Sequence, residues 1–582
     1  MGQIQEKNVK MEKIKKLKKI FGNEKIDGYL IPKNDEFFGE YIPDHNDRLK
    51  YISNFSGTFG FAIILKKKNY LLVDGRYTLQ AKSQCGKAFN IITFPNKDAF
   101  NFLKKKKLSI GYDPKLFTKK TLKALSFSGI NKFKPINYNL IDKIWKRKIK
   151  KNKSKFYCLP KNSVGNDFNL KISKIINNLK KTGADFQFIS ASENNAWLLN
   201  IRGSDSKFSP LPYGYILIDK KKEINFFCDL NKISFSLKNS FNKIKFMSIK
   251  NIEKVLFEIH NKKFIIDRNT CSLYFENIIL KKNKILNFKD PIYNLKSIKT
   301  KKEIKNIQKI HIYDGIALTK YLFWLKRNFI KKKITELSAS QKLFKFRKKN
   351  KKFKFLSFPT ISGTGPNGAI IHYKATKKTN RTLKKGDIYL VDSGGQYEFG
   401  TTDVTRTISL ENSNKKVKNI FTRVLKGHIA VANYKLNKNT TGSIIDDKAR
   451  KYLKQIGLNY PHGTGHGVGY FLNVHEGPQA ITKNNNVTFK EGMVVSNEPG
   501  YYEKNKFGIR IENLIFVKKD KKRQYFENLT MAPIDKDLID KTILNKREKT
   551  WINDYHKKVF NNLKSEMNKV EKLELKKACS AI

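Results

Sequence analysis

The chain has 582 residues, with 119 Lys+Arg against 50 Asp+Glu and a formal net charge of +69. At about 150 residues per domain this length suggests three or four domains. Its 39% hydrophobic and 12% aromatic content is ample for packed cores and excludes general disorder, despite 29% charged residues.

The apolar runs, such as "FGFAIIL" (59–65), are far too short to span a bilayer, so no membrane insertion is expected. "MGQIQEKNVKMEKIKKLKKIFG" lacks an apolar h-region, so no signal peptide is expected, and Glu6 argues against myristoylation at Gly2. Cys85, Cys158, Cys228, Cys271 and Cys579 are scattered and odd in number. That pattern fits reduced thiols in a cytoplasm better than a disulfide frame. The lysines run through the whole chain, as in "KKKK" (104–107) and "RKKNKKFK" (347–354). Their spread alongside abundant Asn, Ile and Phe fits an AT-rich coding bias. Nucleic-acid binding beyond non-specific electrostatics is not expected.

In chain order, "IDGYLIP" (26–32), "FGFAIILKKKNYLLVDGRY" (59–77) and "LSIGYDP" (108–114) predict buried strands between helical pieces. A basic stretch, 143–155, reads as a linker. Beyond it Ile172, Ile175, Ile176 and Leu179 fall on one face of an amphipathic helix. Strands are expected at 213–219, 223–229 and 262–268, which makes this segment a companion of the first without a residue-level repeat. "TKKE" (300–303) has the form of a capping box and opens a helix running to about 328. From 355 the texture turns to strands and glycine-rich turns. Residues 551–573 read as one or two terminal helices with no assigned chemistry.

The chemistry starts in "VDSGGQYEFGTTDVTRT" (391–407). If the chain reverses near Tyr397–Glu398, Asp392 and Asp403 become cross-strand neighbours, with Cβ atoms roughly 4.5–5.5 Å apart. That suits carboxylates sharing metal ions about 3.5–4 Å apart; two solvated turn aspartates would read the same. "PHGTGHGVGYFLNVHEGP" (461–478) adds His462, His466 and His475, three of nine histidines. Gly463, Gly465, Gly467 and Gly469 would each cost a helix about 1 kcal/mol, so an extended segment is expected and His462 and His466 need not both be ligands. "GMVVSNEPGYY" (492–502) carries Glu498 to a strand end. In "FGIRIENLIFV" (507–517), Ile509 and Ile511 face one way, Arg510 and Glu512 the other. An Arg–Glu surface pair on an edge strand is the plainer alternative there. Together Asp392, Asp403, His466, Glu498 and Glu512 form an oxygen-rich set free of thiol, suited to Mn²⁺, Co²⁺, Fe²⁺ or Zn²⁺. Spacing thus reaches a dinuclear metallohydrolase, and no further.

These stretches resemble the "pita-bread" metallopeptidases, which include methionine aminopeptidase, prolidase and Xaa-Pro aminopeptidase. The order Asp392, Asp403, His466, Glu498, Glu512 is similar to that family's five metal ligands. "WLLNIRGSD" (197–205), "LSFPTISGTGPNGAIIHY" (356–373), "RLKYISNFSGTFG" (48–60) and "DGRYTLQA" (74–81) narrow the resemblance to the large three-domain Xaa-Pro aminopeptidases, to about residue 558. The resemblance implies an α/β (α+β) chain of two creatinase-like domains, 1–145 and 156–290, a pita-bread domain at 291–550, and a helical extension at 551–582. It implies a cytoplasmic homodimer acting on peptides with proline in second position. Two divalent ions, Mn²⁺ foremost with Co²⁺ or Zn²⁺ as alternatives, would bridge a hydroxide that attacks the Xaa-Pro bond. Glu498 would be general base as well as ligand; His372 and His475 would contact the substrate and stabilise the tetrahedral intermediate. His462, Tyr502 and Arg510 would line the proline pocket. Pro359 departs from the acidic residue common there, and 206–290 matches loosely. Prolidase is the rival enzyme. A non-catalytic binding member of the fold is the rival from another class.

Overall fold

The computed structural model describes residues 2–96, 99–100, 103, 107–125, 132–147, 152–411, 413–521 and 523–582. The chain divides into two compact units: Met1–Leu159 with Asn166–Ile292, and Pro160–Gly165 with Tyr293–Ile582.

The first unit holds two six-stranded sheets. One uses Gly28–Pro32, Phe61–Leu65, Asn69–Val73, Asn90–Thr93, Ser109–Tyr112 and Lys132–Pro135; the other uses Phe186–Ile189, Gly214–Asp219, Ile224–Cys228, Ile244–Ser248, Lys263–Ile266 and Lys284–Ile285. Numbered one to six along the chain within each sheet, both are ordered 4-3-2-1-5-6. The directions match too: strands 1·2 and 2·3 pair antiparallel, while 3·4, 1·5 and 5·6 pair parallel, in both sheets. The companion relation expected from hydrophobic patterning is therefore a shared topology. In the second half Ile172, Ile175, Ile176 and Leu179 are buried along the helix Phe168–Thr182, which Asp167 caps through Leu170 N–H. The basic stretch expected to be a linker begins inside a helix, Leu140–Ile144. Its Asp142 draws in both Arg48 and Arg147, so charge pairing orders the start of this stretch. Residues 148–151 of that stretch lie outside the described residues.

The second unit opens with the helix Lys301–Asn328, whose capping box pairs Thr300 and Glu303 reciprocally, as the sequence predicts. Its chemistry-bearing part is all β. The strands Ile361–Thr364, Ile388–Ser393 and Val404–Ser409 form one antiparallel sheet. A six-stranded sheet includes Asn513–Asp520, Val494–Asn497, Gly465–Gly467 and Glu476–Ile481 as neighbours in that order. Gly500–Glu503 and Phe507–Arg510 form a separate hairpin. The helix Lys546–Leu563 follows a capping box of Asn545 and Glu548 and buries Ile552, Tyr555, Val559 and Leu563.

The hairpin register differs from the expected one. Asp392 pairs with Thr405 rather than Asp403, and the chain turns at Glu398–Phe399, one residue later than predicted. Two contacts account for the shift. Tyr397 is held inside the strand by donating its hydroxyl to Asp314 at 2.7 Å. Gly400 passes so close to the helix Lys301–Asn328 that a Cβ there would lie 2.5 Å from Ile310. Because the opposing residue moves by two and not one, the facing parity is kept. Asp403 becomes a diagonal neighbour of Asp392 on the same side of the sheet.

Candidate metal centre

Each of the five acidic and histidine side chains sits at or beside a strand end. Asp392 lies in Ile388–Ser393, Asp403 just before Val404–Ser409, and His466 in Gly465–Gly467. Glu498 follows Val494–Asn497 and Glu512 precedes Asn513–Asp520. Glycines flank His466 because the backbone is crowded: a Cβ at Gly465 would lie 1.9 Å from Ser496 O, and one at Gly467 2.4 Å from Glu476 O. The alternating glycines thus mark strand packing, in line with the predicted extended segment.

Ligand atoms of Asp403, His466 and Glu512 all lie within 4.8 Å of one another. His466 Nε2 is 3.4 Å from Asp403 Oδ2 and 3.5 Å from Glu498 Oε1. His466 Nδ1 faces Gly467 O at 2.9 Å; that carbonyl can only accept, so Nδ1 is the donor and Nε2 is left for a cation. Asp392 receives Arg510 Nη2 on Oδ2 at 2.6 Å, while its buried Oδ1 has no partner. Two hydroxyls that sequence reasoning left unassigned orient the glutamates. Thr405 Oγ1 donates to Glu512 Oε2 at 2.8 Å, and Ser496 Oγ donates to Glu498 Oε1 at 3.0 Å. Their signal is polar residues in strands whose every position is buried.

The electrostatics fit a cation. Burial pushes Asp392 up to about 7, with the charge of Asp403 adding to it against Arg510. Glu498 is also raised, first by burial and then by Asp403. Glu512 is driven well above the carboxylate range by burial and by Asp403, Glu498 and Asp392 together. Burial would depress His466, but hydrogen bonding to Asp403 and the charges of Glu498 and Asp403 lift it to about 9. Converging anions with one orphaned oxygen, one imidazole and no thiol match hard divalent ions. Asp392, Asp403 and Glu512 are buried, whereas the side chains of His466 and Glu498 stay 20% and 18% exposed. The cluster therefore opens to solvent on the side of those two residues.

The remaining predicted residues divide into a linked set and two flanking histidines. Arg510 Nη1 donates to Tyr502 Oη at 2.5 Å, and Tyr502 Oη meets His462 Nε2 at 2.9 Å. His462, Tyr502 and Arg510 thus run as one chain to Asp392. Arg510 and Glu512 are 2% and 1% exposed, which removes the surface-pair alternative. His475 packs its ring on that of His466, centroids 4.3 Å apart. His372 follows Ile371, whose carbonyl accepts from Arg510 Nη2 at 3.4 Å.

Known families match the chain along nearly its whole length. The model for metallopeptidase family M24 matches residues 305–519, and the C-terminal region of peptidase M24 matches 524–582. Two models of the creatinase/prolidase N-terminal domain match residues 13–144 and 147–303. "Probable Xaa-Pro aminopeptidase P" of Laccaria bicolor is 37% identical over 95% of this chain and 90% of its own length. "Xaa-Pro aminopeptidase 1" of Dictyostelium discoideum is 36% identical over 94% of this chain and 95% of its own. The crystal structure of X-prolyl aminopeptidase from Caenorhabditis elegans, described as a cytosolic enzyme with a di-nuclear active site, superposes with a TM-score of 0.93 at 29% identity. It covers 98% of this chain and 100% of its own. The expected architecture, two creatinase-like domains followed by a pita-bread peptidase domain, holds. A duplicated N-terminal topology, a cation-seeking cluster in the second unit and full-length kinship converge: the chain belongs to the Xaa-Pro aminopeptidases of metallopeptidase family M24.

Proposed function

We propose that this protein releases the N-terminal residue from peptides with proline in second position, using two divalent metal ions held by Asp392, Asp403, His466, Glu498 and Glu512. The observation that carries the reading is the convergence of four carboxylates and one imidazole, where burial and mutual repulsion raise Asp392, Glu498 and Glu512. When bound, two such ions supply an acidified water as nucleophile and polarise the scissile carbonyl, with Mn²⁺ as the foremost candidate. Glu498 is the proton acceptor: it is partly open to solvent, held by Ser496, and raised by burial. By the family resemblance, His372 and His475 contact the substrate and steady the developing charge. The chain His462–Tyr502–Arg510 lines the proline pocket and fixes Asp392 through the Arg510 guanidinium. Proline lacks an N–H and fixes φ, so peptidases that grip substrate as an extended strand handle this bond poorly. The cytosolic setting of the nematode relative supports the same setting here, and the family resemblance supports a homodimer, which sedimentation of the full chain checks.

Cleavage of Arg-Pro-Pro tests the reading. Free arginine and Pro-Pro are expected, with Arg-Ala-Ala spared. Hydrolysis of the dipeptide Arg-Pro with the tripeptide refused would assign the chain a prolidase activity instead.

A further inference from the structure

Arg406, in the buried strand Val404–Ser409, is 1% exposed. No Asp or Glu forms an ion pair with it among the described residues, unlike Arg347 on Asp314 or Arg510 on Asp392. A buried guanidinium without a counter-ion is costly unless its donors are satisfied. Here they are met by neutral acceptors. Nη1 donates to Glu512 O at 2.7 Å and Thr405 O at 2.9 Å. Nη2 donates to Ala532 O at 2.8 Å, Asn513 Oδ1 at 2.9 Å and Tyr555 Oη at 2.8 Å, and Nε to Pro533 O at 3.0 Å.

Glu512 is therefore gripped from both faces of one strand. Thr405 holds its carboxylate and its N–H, the latter through Thr405 O at 3.2 Å. Arg406 holds its carbonyl from the other face. Tyr555 completes the grip by donating to Ala532 O at 2.7 Å while accepting from Arg406. Tyr555 belongs to the helix Lys546–Leu563, the first of two at the C-terminal end, which sequence reasoning left without chemistry. The same helix reaches the other glutamate by a second route. Trp551 stacks on Tyr555 and lies edge-on to His428. His428 Nδ1 meets Asn497 O at 3.1 Å, and Asn497 Nδ2 donates to His428 O at 2.9 Å, directly before Glu498.

We infer that Tyr555 and Arg406 are positioning residues of the metal centre, through which the helix Lys546–Leu563 sets the geometry of Glu512. The inference rests on the proposed dinuclear site, because it concerns how one of its ligands is oriented. Partners behind a ligand typically govern metal affinity by about 10- to 100-fold. The planar fork of Arg406 cannot be replaced by the single ammonium of lysine.

The test is Mn²⁺ binding to the metal-stripped full chain by calorimetry, with thermal unfolding measured in parallel. Tyr555→Phe is expected to weaken Mn²⁺ binding about 10-fold and Arg406→Lys up to about 100-fold. Val559→Ala, a fully buried apolar change one turn along the same helix that removes no hydrogen bond of the relay, is expected to lower the unfolding temperature and leave affinity unchanged. Parent-like affinity in both Tyr555→Phe and Arg406→Lys would overturn the inference, as would an equal loss in Val559→Ala. A parent chain that binds no Mn²⁺ would refute the dinuclear reading itself, a result distinct from either.

Discussion

In the N-terminal unit three buried cations end on anions: Lys33 on Asp47, Lys232 on Asp205, and Arg48 on both Asp142 and Glu36. In the C-terminal unit Asp392, Asp403, Glu498 and Glu512 instead converge on one another, with Arg510 in an ion pair with Asp392 and His466 beside Asp403 and Glu498. The second unit also contains such pairs, Arg347 on Asp314 and Lys299 on Glu476. Paired burial holds an architecture together, whereas unpaired convergence of like charge leaves a demand that a ligand fills. The difference separates structural charge from functional charge on physical grounds alone.

Four substitutions or titrations break or sharpen that contrast. Asp403→Ala removes a member of the converging set; several kcal/mol of transition-state stabilisation go with the metal, so peptide cleavage falls about a thousand-fold or more. Assays of turnover and bound metal read this together, with unfolding temperature nearly unchanged. Lys33→Met does the reverse. It strands Asp47 in the interior and costs about 3 kcal/mol of stability, seen in denaturant unfolding, while metal stoichiometry stays at the parent value.

Metal loading sharpens the comparison through pH. The raised carboxylates hold protons near neutrality and must lose them to become ligands, so Mn²⁺ binding releases protons and tightens as pH rises. Calorimetry in buffers of different ionisation heat counts the protons released. The fourth effect comes from a lone buried acid in the N-terminal unit. Asp35 is pushed up to about 7, first by burial and then by Glu36, and its Oδ2 has no partner. A raised acid favours the folded state only while protonated, so the parent loses stability as pH climbs from about 4 toward that shifted value. Asp35→Asn is expected to flatten this slope, leaving the variant the more stable at pH near 8 and equal to the parent near 4.

Much of this was legible in the residues, but the helices Lys415–Ala432 and Gly442–Lys454 lie in a stretch read as strands and turns, although each carries a buried apolar face. Local signals held: the Thr300–Glu303 capping box, the Ile172–Leu179 stripe, and strands at 28–32, 61–65 and 214–219 all depend on neighbours a few positions apart. Helix-breaking glycines lie between and around His466 and His462, whose Nε2 atoms face different partners: Asp403 and Glu498 for the first, Tyr502 for the second. The hairpin register failed by one residue at its turn because Tyr397 answers to Asp314 and Gly400 to Ile310, partners far away in sequence. Arg406 and Tyr555 went unassigned for the same reason. Nothing near either residue announces that they meet each other and the carbonyl of Glu512.

The most direct measurement is turnover of Arg-Pro-Pro by metal-stripped protein titrated separately with Mn²⁺, Co²⁺ and Zn²⁺. The structure predicts no cleavage before addition and a rise that saturates at two equivalents per chain with the best of these ions, releasing free arginine. Undiminished cleavage in the presence of a strong chelator, or none with any of the three ions, would contradict it.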